Sequence, residues 1–135
     1  MEFENQINVA SSDLGTKVIF SSDEFFADAE RMLKPSEPVF IEGKFDDHGK
    51  WMDGWETRRR RDGKNDYCFI QLGQRSVING FNINTRHFTG NYPPGISILG
   101  CCINEDMSEK NIADSVDNNL WFDLLEMSNL EGDSN

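Results

Sequence analysis

Beyond Pro35 the hydrophobic pattern of this chain changes from a helical repeat to short apolar runs punctuated by Gly, Asn and Asp. That change limits the possible folds more than any other feature. Tyr67 to Leu72 is the strongest run, a largely apolar and aromatic stretch closed by Gly73. Phe81 to Thr85 alternates, with Phe81 and Ile83 on one face and Asn82 and Asn84 on the other, the period-two pattern of a half-buried strand. Ile96 to Ile103 and Trp121 to Leu125 follow, and Lys17 to Phe20 and Trp55 to Arg60 are weaker candidates. Short strands spaced by turn residues, without the alternating helices of a βαβ chain, predict an all-β, antiparallel sandwich. Within the run at 67–72, Phe69, or else Cys68 with Ile70, is expected among the most buried positions, depending on which face meets the core.

The exception lies before Pro35. In SSDEFFADAERMLK (21–34), Ser21 and Glu24 have capping-box spacing, and Phe25, Ala29, Met32 and Leu33 share one helical face. Asp23 and Glu24 at the start and Arg31 and Lys34 at the end follow the order a helix dipole favours. These signals predict one short helix near the N-terminus, around Ser22 to Leu33, stopped by Pro35. Asn104 to Asn119, by contrast, is too polar for a core element and reads as a solvated loop with room for a helical turn.

A length of 135 residues suits one domain, 1–135, with one modest core. The net charge of −11 argues against nucleic acid or an anionic membrane as partner, since both need a basic footprint. The charge is uneven: residues 104–135 hold nine acidic residues against Lys110 alone, so the rest is nearly neutral. Cys68, Cys101 and Cys102 form neither an even set nor a CxxC pair, which fits a reducing compartment better than a disulfide framework or a zinc site. With no apolar leader after Met1 and no membrane-length apolar run, a soluble cytoplasmic protein is expected.

Two segments concentrate residue types capable of chemistry. GKWMDGWETRRRR (49–61) packs two Trp, an Asp, a Glu and four successive Arg into thirteen residues. In an extended Trp55 to Arg60, Glu56, Arg58 and Arg60 share one face, and Trp55, Thr57 and Arg59 the other. A guanidinium fork matches a carboxylate, so Arg58 and Arg60 suit an organic acid, with Glu56 moving protons. The competing reading is a set of surface ion pairs balancing the acidic C-terminal third, with Trp51 and Trp55 as packing aromatics. HFTGNYPP (87–94) is rich in turn formers and reads as a rigid exposed loop. There His87 offers an acid or base near neutrality and Asn91 an amide, although a lone His at a strand end is also a common structural residue.

Other chemistries find no string to support them: P-loop, GxGxxG, HExxH and GxSxG are all absent. Cys101 and Cys102 read as small buried packing residues in a strand rather than nucleophiles. No metal ligand set is assigned; Asp46, Asp47 and Asp53 form the alternative carboxylate group, but loop acids are common. No cofactor is assigned.

The order of segments SSDEFFADAERMLKPSEPVF, GKWMDGWETRRRR, DYCFIQLG, HFTGNYPP and LEGDSN resembles the allantoicase repeat over roughly residues 8–135. The resemblance implies a jelly-roll-like sandwich similar to galactose-binding and discoidin domains, with two repeats in tandem. It also implies hydrolysis of allantoate to ureidoglycolate and urea in purine (allantoin) degradation. Allantoate is a carboxylate whose central carbon bears two ureido groups, so the implied site needs a carboxylate clamp, amide partners and a proton donor for departing urea. On that basis Asp53, Glu56 and His87 are the catalytic candidates, and Arg58, Arg60, Asn91 and Trp55 the substrate-binding ones. The family continues beyond GDSN, so this chain is expected to be a first repeat lacking its closing strands, inactive by itself. Its expected partners are a second repeat and further copies of itself. The alternative is a non-catalytic, small-ligand-binding or purely structural sandwich module.

Overall fold

The computed structural model describes residues 3, 5–103 and 108–135. Its strands are β1 (Lys17–Ser21), β2 (Phe45–Asp46), β3 (Gly49–Lys50), β4 (Cys68–Gln71), β5 (Gly95–Gly100) and β6 (Phe122–Asn129), with one α-helix, α1 (Glu109–Asp117). Among the described residues these strands form three two-stranded antiparallel sheets, β1–β4, β2–β3 and β5–β6. The class is all-β and antiparallel, as the spacing of apolar runs predicts. The chain divides into two compact units, Met1–Gly80 and Phe81–Asn135.

In the first unit β1 and β4 pair with Lys17 opposite Gln71 and Ser21 opposite Cys68, and the ladder is irregular between Val18 and Phe20. The rings of Phe20, Tyr67 and Phe69 gather on this sheet, with centroids 5.9 to 6.5 Å apart. After β4 the chain passes so close to the turn before β1 that a Cβ on Gly73 would lie 1.9 Å from the Leu14 carbonyl oxygen. Only glycine fits there, and its amide donates to Thr16 Oγ1 at 3.1 Å. The buried apolar side chains are Ala27, Ala29, Leu33 and Met52.

The expected helix over Ser22 to Leu33 exists only in its last part, as a 3-10 helix at Ala29–Leu33. The segment that would form its first turns is engaged elsewhere: Ser21, the expected cap, ends β1 opposite Cys68, and its hydroxyl donates to the Asp23 carbonyl. Ser22 Oγ donates to Asp66 and accepts from the Tyr67 amide, Asp23 is held by Arg58, and Ala27 bridges to Glu56 as an isolated antiparallel pair. Long-range partners outcompete the local capping box, a tertiary override of helix propensity.

In the second unit β5 and β6 pair from Gly95 opposite Asn129 to Gly100 opposite Phe122, with two irregularities. The stretch expected as a solvated loop contains α1. Ser108 Oγ caps it by accepting from the Asn111 amide, Ile112 and Ser115 are buried, and Trp121 Nε1 donates to Ser115 Oγ at 2.7 Å. Residues 104–107 of that stretch lie outside the described residues. The few apolar residues share one helical face, but the stretch is polar on average, which is why the sequence reads there as loop.

Three expectations need correction. Phe81 to Thr85 belongs to no strand, although its burial alternates as expected, with Phe81 and Ile83 half-buried and Asn82 and Asn84 exposed. In β4, Cys68 and Phe69 are only half-buried and Ile70 is exposed, because a two-stranded ladder covers its residues incompletely and the deepest positions lie at 27–33 and 52–54. Cys101 and Cys102 follow β5 rather than sit inside it, Cys101 half-buried and Cys102 exposed.

Candidate functional site

The run from Trp51 to Arg60 lies along the segment that the helix signals marked, and its side chains bind that segment's residues. Trp55 Nε1 donates to the Asp23 carbonyl at 2.7 Å, and the Glu56 main chain exchanges two hydrogen bonds with Ala27. Arg58 grips the Asp23 carboxylate three times: its amide donates to Oδ2 at 2.6 Å, and Nε and Nη2 donate to Oδ1 at 3.2 and 2.9 Å. The same guanidinium lies over the Phe25 ring, 5.2 Å from its centre. Arg60 donates through Nε to Asp66 and through Nη1 to Asp62, both at 3.0 Å. Strict alternation of faces fails, because Trp55 and Arg58 share Asp23 while Thr57 and Arg60 share Asp66. A single ladder pair at Glu56 does not hold the run as a regular strand.

These contacts set the charge states. Partial burial would raise the Asp23 carboxyl, but hydrogen bonds from the Arg58 amide and side chain, the Arg58 charge and the Phe25 amide outweigh it, leaving the pKa below the ordinary aspartate value. Asp66 follows the same pattern: burial raises it, while hydrogen bonds from Ser22, Arg60 and Thr57 and the Arg60 charge bring it down further. The hydrogen bond to Asp66, against some desolvation, raises the Arg60 guanidinium, with help from the charges of Asp66 and Asp62. Burial, with the nearby Glu24 charge, pushes the Cys68 thiol up to about 11, the opposite of what a nucleophilic thiolate needs.

Asp53 sits apart from that network. Its side chain is 2% exposed; Oδ1 meets Lys34 Nζ at 2.5 Å and Oδ2 accepts from the Val39 amide at 2.9 Å. Among the described residues Oδ1 has no hydrogen-bond donor besides the Lys34 ammonium. The carboxylate joins the end of the 3-10 helix to the following loop. Trp51 carries two cations over its ring, Arg31 at 5.4 Å and Lys44 at 4.1 Å from the ring centre, and His48 packs edge-on against Phe25. Asp46 and Asp47 do not join Asp53 in a metal-ligating cluster; no group of three or more such side chains gathers among the described residues.

His87 and Asn91 belong to the second unit, on one loop. His87 is half-buried and Asn91 exposed. His87 has φ 71°, a left-handed conformation seldom adopted outside glycine, and its amide donates to Asp133 Oδ1 at 2.9 Å. Thr85, at the loop's start, is buried and donates to the Glu131 carbonyl at 2.6 Å while accepting from the Ser134 amide at 3.0 Å. The Asp133 amide donates to the Phe88 carbonyl at 2.9 Å, and the Leu130 amide to the Pro94 carbonyl at 3.0 Å. LEGDSN thus braces HFTGNYPP at both ends. Gly132 is the tightest point, where a Cβ would lie 2.5 Å from the Tyr92 ring.

The sequence points to Arg58, Arg60 and His87 as candidates but not to the residues that hold them: Ser22, Asp23 and Asp66 in one unit, Thr85 and Asp133 in the other. Ser22 and Asp23 read as the start of a helix, with Asp23 favoured there by the dipole, and nothing local links them to arginines more than thirty positions later. The Gly-Asp-Ser turn at 132–134 carried a usable signal, since Asp and Ser often bind neighbouring main chain.

The family model described as "Allantoicase repeat" matches residues 7–135. The chain belongs to this family. A Rhizobium meliloti protein named "Probable allantoicase" is 53% identical over 124 residues, which are 92% of this chain and 34% of that protein. A Burkholderia mallei protein named "Probable allantoicase 2" is 47% identical over 126 residues, 93% of this chain and 35% of that one. Among solved structures, one described as "Structure of allantoicase" superposes with a TM-score of 0.77 at 30% identity, covering 95% of this chain and 37% of its own. An allantoicase from Saccharomyces cerevisiae superposes at 0.66 with 26% identity, covering 95% and 36%. The chain therefore spans about a third of the length of the relatives it matches. The fold is the β-sandwich of the solved allantoicase structure. No helix among the described residues is long and apolar enough to cross a membrane.

Proposed function

We propose that this chain is one repeat domain of an enzyme that hydrolyses allantoate to ureidoglycolate and urea in cytoplasmic purine degradation. The observation that carries this reading is the family match over residues 7–135, joined to relatives named as allantoicases. In the reaction water attacks the central carbon and the bond to one ureido nitrogen breaks. The water oxygen stays on that carbon, and a proton reaches the departing nitrogen to complete urea.

Arg58 and Arg60 are the carboxylate clamp in this reading. Each commits two guanidinium nitrogens to protein carboxylates, which fixes its plane; the remaining nitrogen of each is the one proposed to meet substrate. In the first unit Trp55 is the proposed wall beside that clamp; in the second, Asn91 is proposed as a group able to serve a ureido amide. Glu56 in the first unit and His87 in the second are each proposed as a proton carrier, able to take a proton from water or to give one to the leaving nitrogen. Asp53, committed to Lys34 and Val39, enters the proposal as the residue that sets the course of the run rather than as a direct proton donor. A second repeat of the same chain, and further copies of it, are the proposed partners; they would supply the remainder of the substrate's surroundings.

The test is urea release from allantoate by the full-length protein and by Glu56→Gln, His87→Gln and Arg60→Ala variants. Loss of a general acid or base is expected to lower turnover by roughly 10²–10⁴-fold. Arg60→Ala should chiefly raise KM. A wild-type protein that leaves allantoate intact refutes the reading. If the wild type is active and all three variants match it, catalysis belongs outside this repeat.

A further inference from the structure

We infer that Asp133 is a positioning residue for His87, whose amide it holds in a left-handed turn so that the imidazole is presented in one direction; the inference rests on His87 carrying protons as proposed above. Three observations lead to it. First, His87 at φ 71° and Asp133 at φ 47° are both non-glycine residues in the left-handed region. An L-residue stays in that region only where its surroundings over-determine it. Second, the surroundings do so from both sides. The Phe88 amide donates to the Thr85 carbonyl at 3.0 Å and closes the turn around His87, while the Asp133 amide donates to the Phe88 carbonyl at 2.9 Å. Thr85 in turn is tied through main chain and hydroxyl to Glu131 and Ser134. Third, the Asp133 carboxylate reaches the main chain of His87 itself, at 2.9 Å.

Fixing that amide fixes the plane of the preceding peptide and, with φ, the direction of the Cα–Cβ bond. A misplacement of about 1 Å at a reacting group costs up to roughly 10²-fold in rate, so a residue that sets this direction acts on turnover without touching substrate. Gly132 allows the arrangement, because the Tyr92 ring occupies the space a side chain would need.

Asp133→Asn and Asp133→Gly separate this role from simple support. Both residues tolerate a positive φ, but only asparagine keeps an oxygen for the His87 amide. In the full-length protein, Asp133→Gly should lower kcat for allantoate about tenfold with KM unchanged within about twofold, and Asp133→Asn should stay within about twofold of wild type. Exchange of the His87 amide with solvent should quicken in Asp133→Gly and hold in Asp133→Asn. Because Asp133 acts through His87, adding Asp133→Gly to His87→Gln should cost nothing further. Additive losses, equal effects of the two Asp133 variants, or an unchanged kcat in Asp133→Gly each overturn the inference. A His87→Gln variant with wild-type turnover removes instead the role of His87 on which it stands.

Discussion

Asp23, Asp62 and Asp66 grip the guanidinium groups of Arg58 and Arg60, with the Arg58 amide held as well, whereas the bond from His87 to Asp133 is made by the main chain. The two units thus order their candidate residues in different ways. Ion pairs define where a charge sits and also how strongly it is already neutralised, so the arginines reach any substrate with part of their field spent. A main-chain clamp fixes direction and leaves the imidazole chemistry to its own environment. The difference separates the agents to which each part should respond: the arginine network to pH and salt, the histidine loop to backbone geometry.

Backbone geometry offers the largest expected effect and compares the two units directly. A Cβ on Gly73 would meet main chain, the Leu14 carbonyl oxygen at 1.9 Å, while a Cβ on Gly132 would meet mainly the Tyr92 ring at 2.5 Å. A ring can rotate away; a carbonyl can move only with the turn that carries it. Gly73→Ala should therefore destabilise the first unit by about 3 kcal/mol and Gly132→Ala the second by about 1 kcal/mol. Hydrogen exchange resolved along β1, β4 and the 85–92 loop would read each unit separately. Equal losses, or a larger one at Gly132, would show that the loop in the second unit is the stiffer element.

Asp53→Ala comes next. It removes the buried partner of Lys34 and the acceptor of the Val39 amide. Lys34 is 39% exposed and can turn to water, so the cost should fall below that of breaking a fully buried pair, at about 2 kcal/mol. Thermal unfolding with exchange over residues 29–55 measures it. If stability is unchanged while urea release is lost, Asp53 is a chemical participant and not a brace.

The all-β class was legible because strand signals need only a few neighbouring residues: Cys68–Gln71, Gly95–Gly100 and Lys17–Ser21 fall where the apolar runs predict. The helix over Ser22 to Leu33 was misread for a related reason. Capping-box and amphipathic patterns are local, whereas Asp23 answers to Arg58 and Ser22 to Asp66. The same limit applies to the candidate site. Composition exposes an arginine run and a turn-rich loop, but an arginine's availability depends on which distant carboxylates fold against it. The brace at Thr85 and Asp133 joins segments whose contact no periodicity encodes.

The smallest predicted effect distinguishes the two modes of fixation most cleanly. Asp23 and Asp66 are held below the ordinary aspartate value of 3.8, against the opposing effect of burial, by hydrogen bonds and by the charges of Arg58 and Arg60. A carboxyl whose folded pKa is depressed binds protons more readily when unfolded. Its contribution to stability is thus complete above 3.8 and disappears as pH falls through the lower folded value. Arg58 is 65% exposed, so solvent screens its pair with Asp23 and the contribution should be only about 0.2–1 kcal/mol. Arg58→Gln should consequently lower the unfolding midpoint slightly at pH 5, and this difference from wild type should shrink as the solution is taken below pH 3.8. Added salt at pH 5 should shrink it as well, since an exposed pair lies within reach of counterions. Asp133→Gly serves as the contrast: its effect on His87 amide exchange comes from a lost acceptor and should persist in salt at pH 5. A difference for Arg58→Gln that is the same at both pH values would mean that the guanidinium supports this segment by packing over the Phe25 ring, 5.2 Å away, rather than by its charge on Asp23.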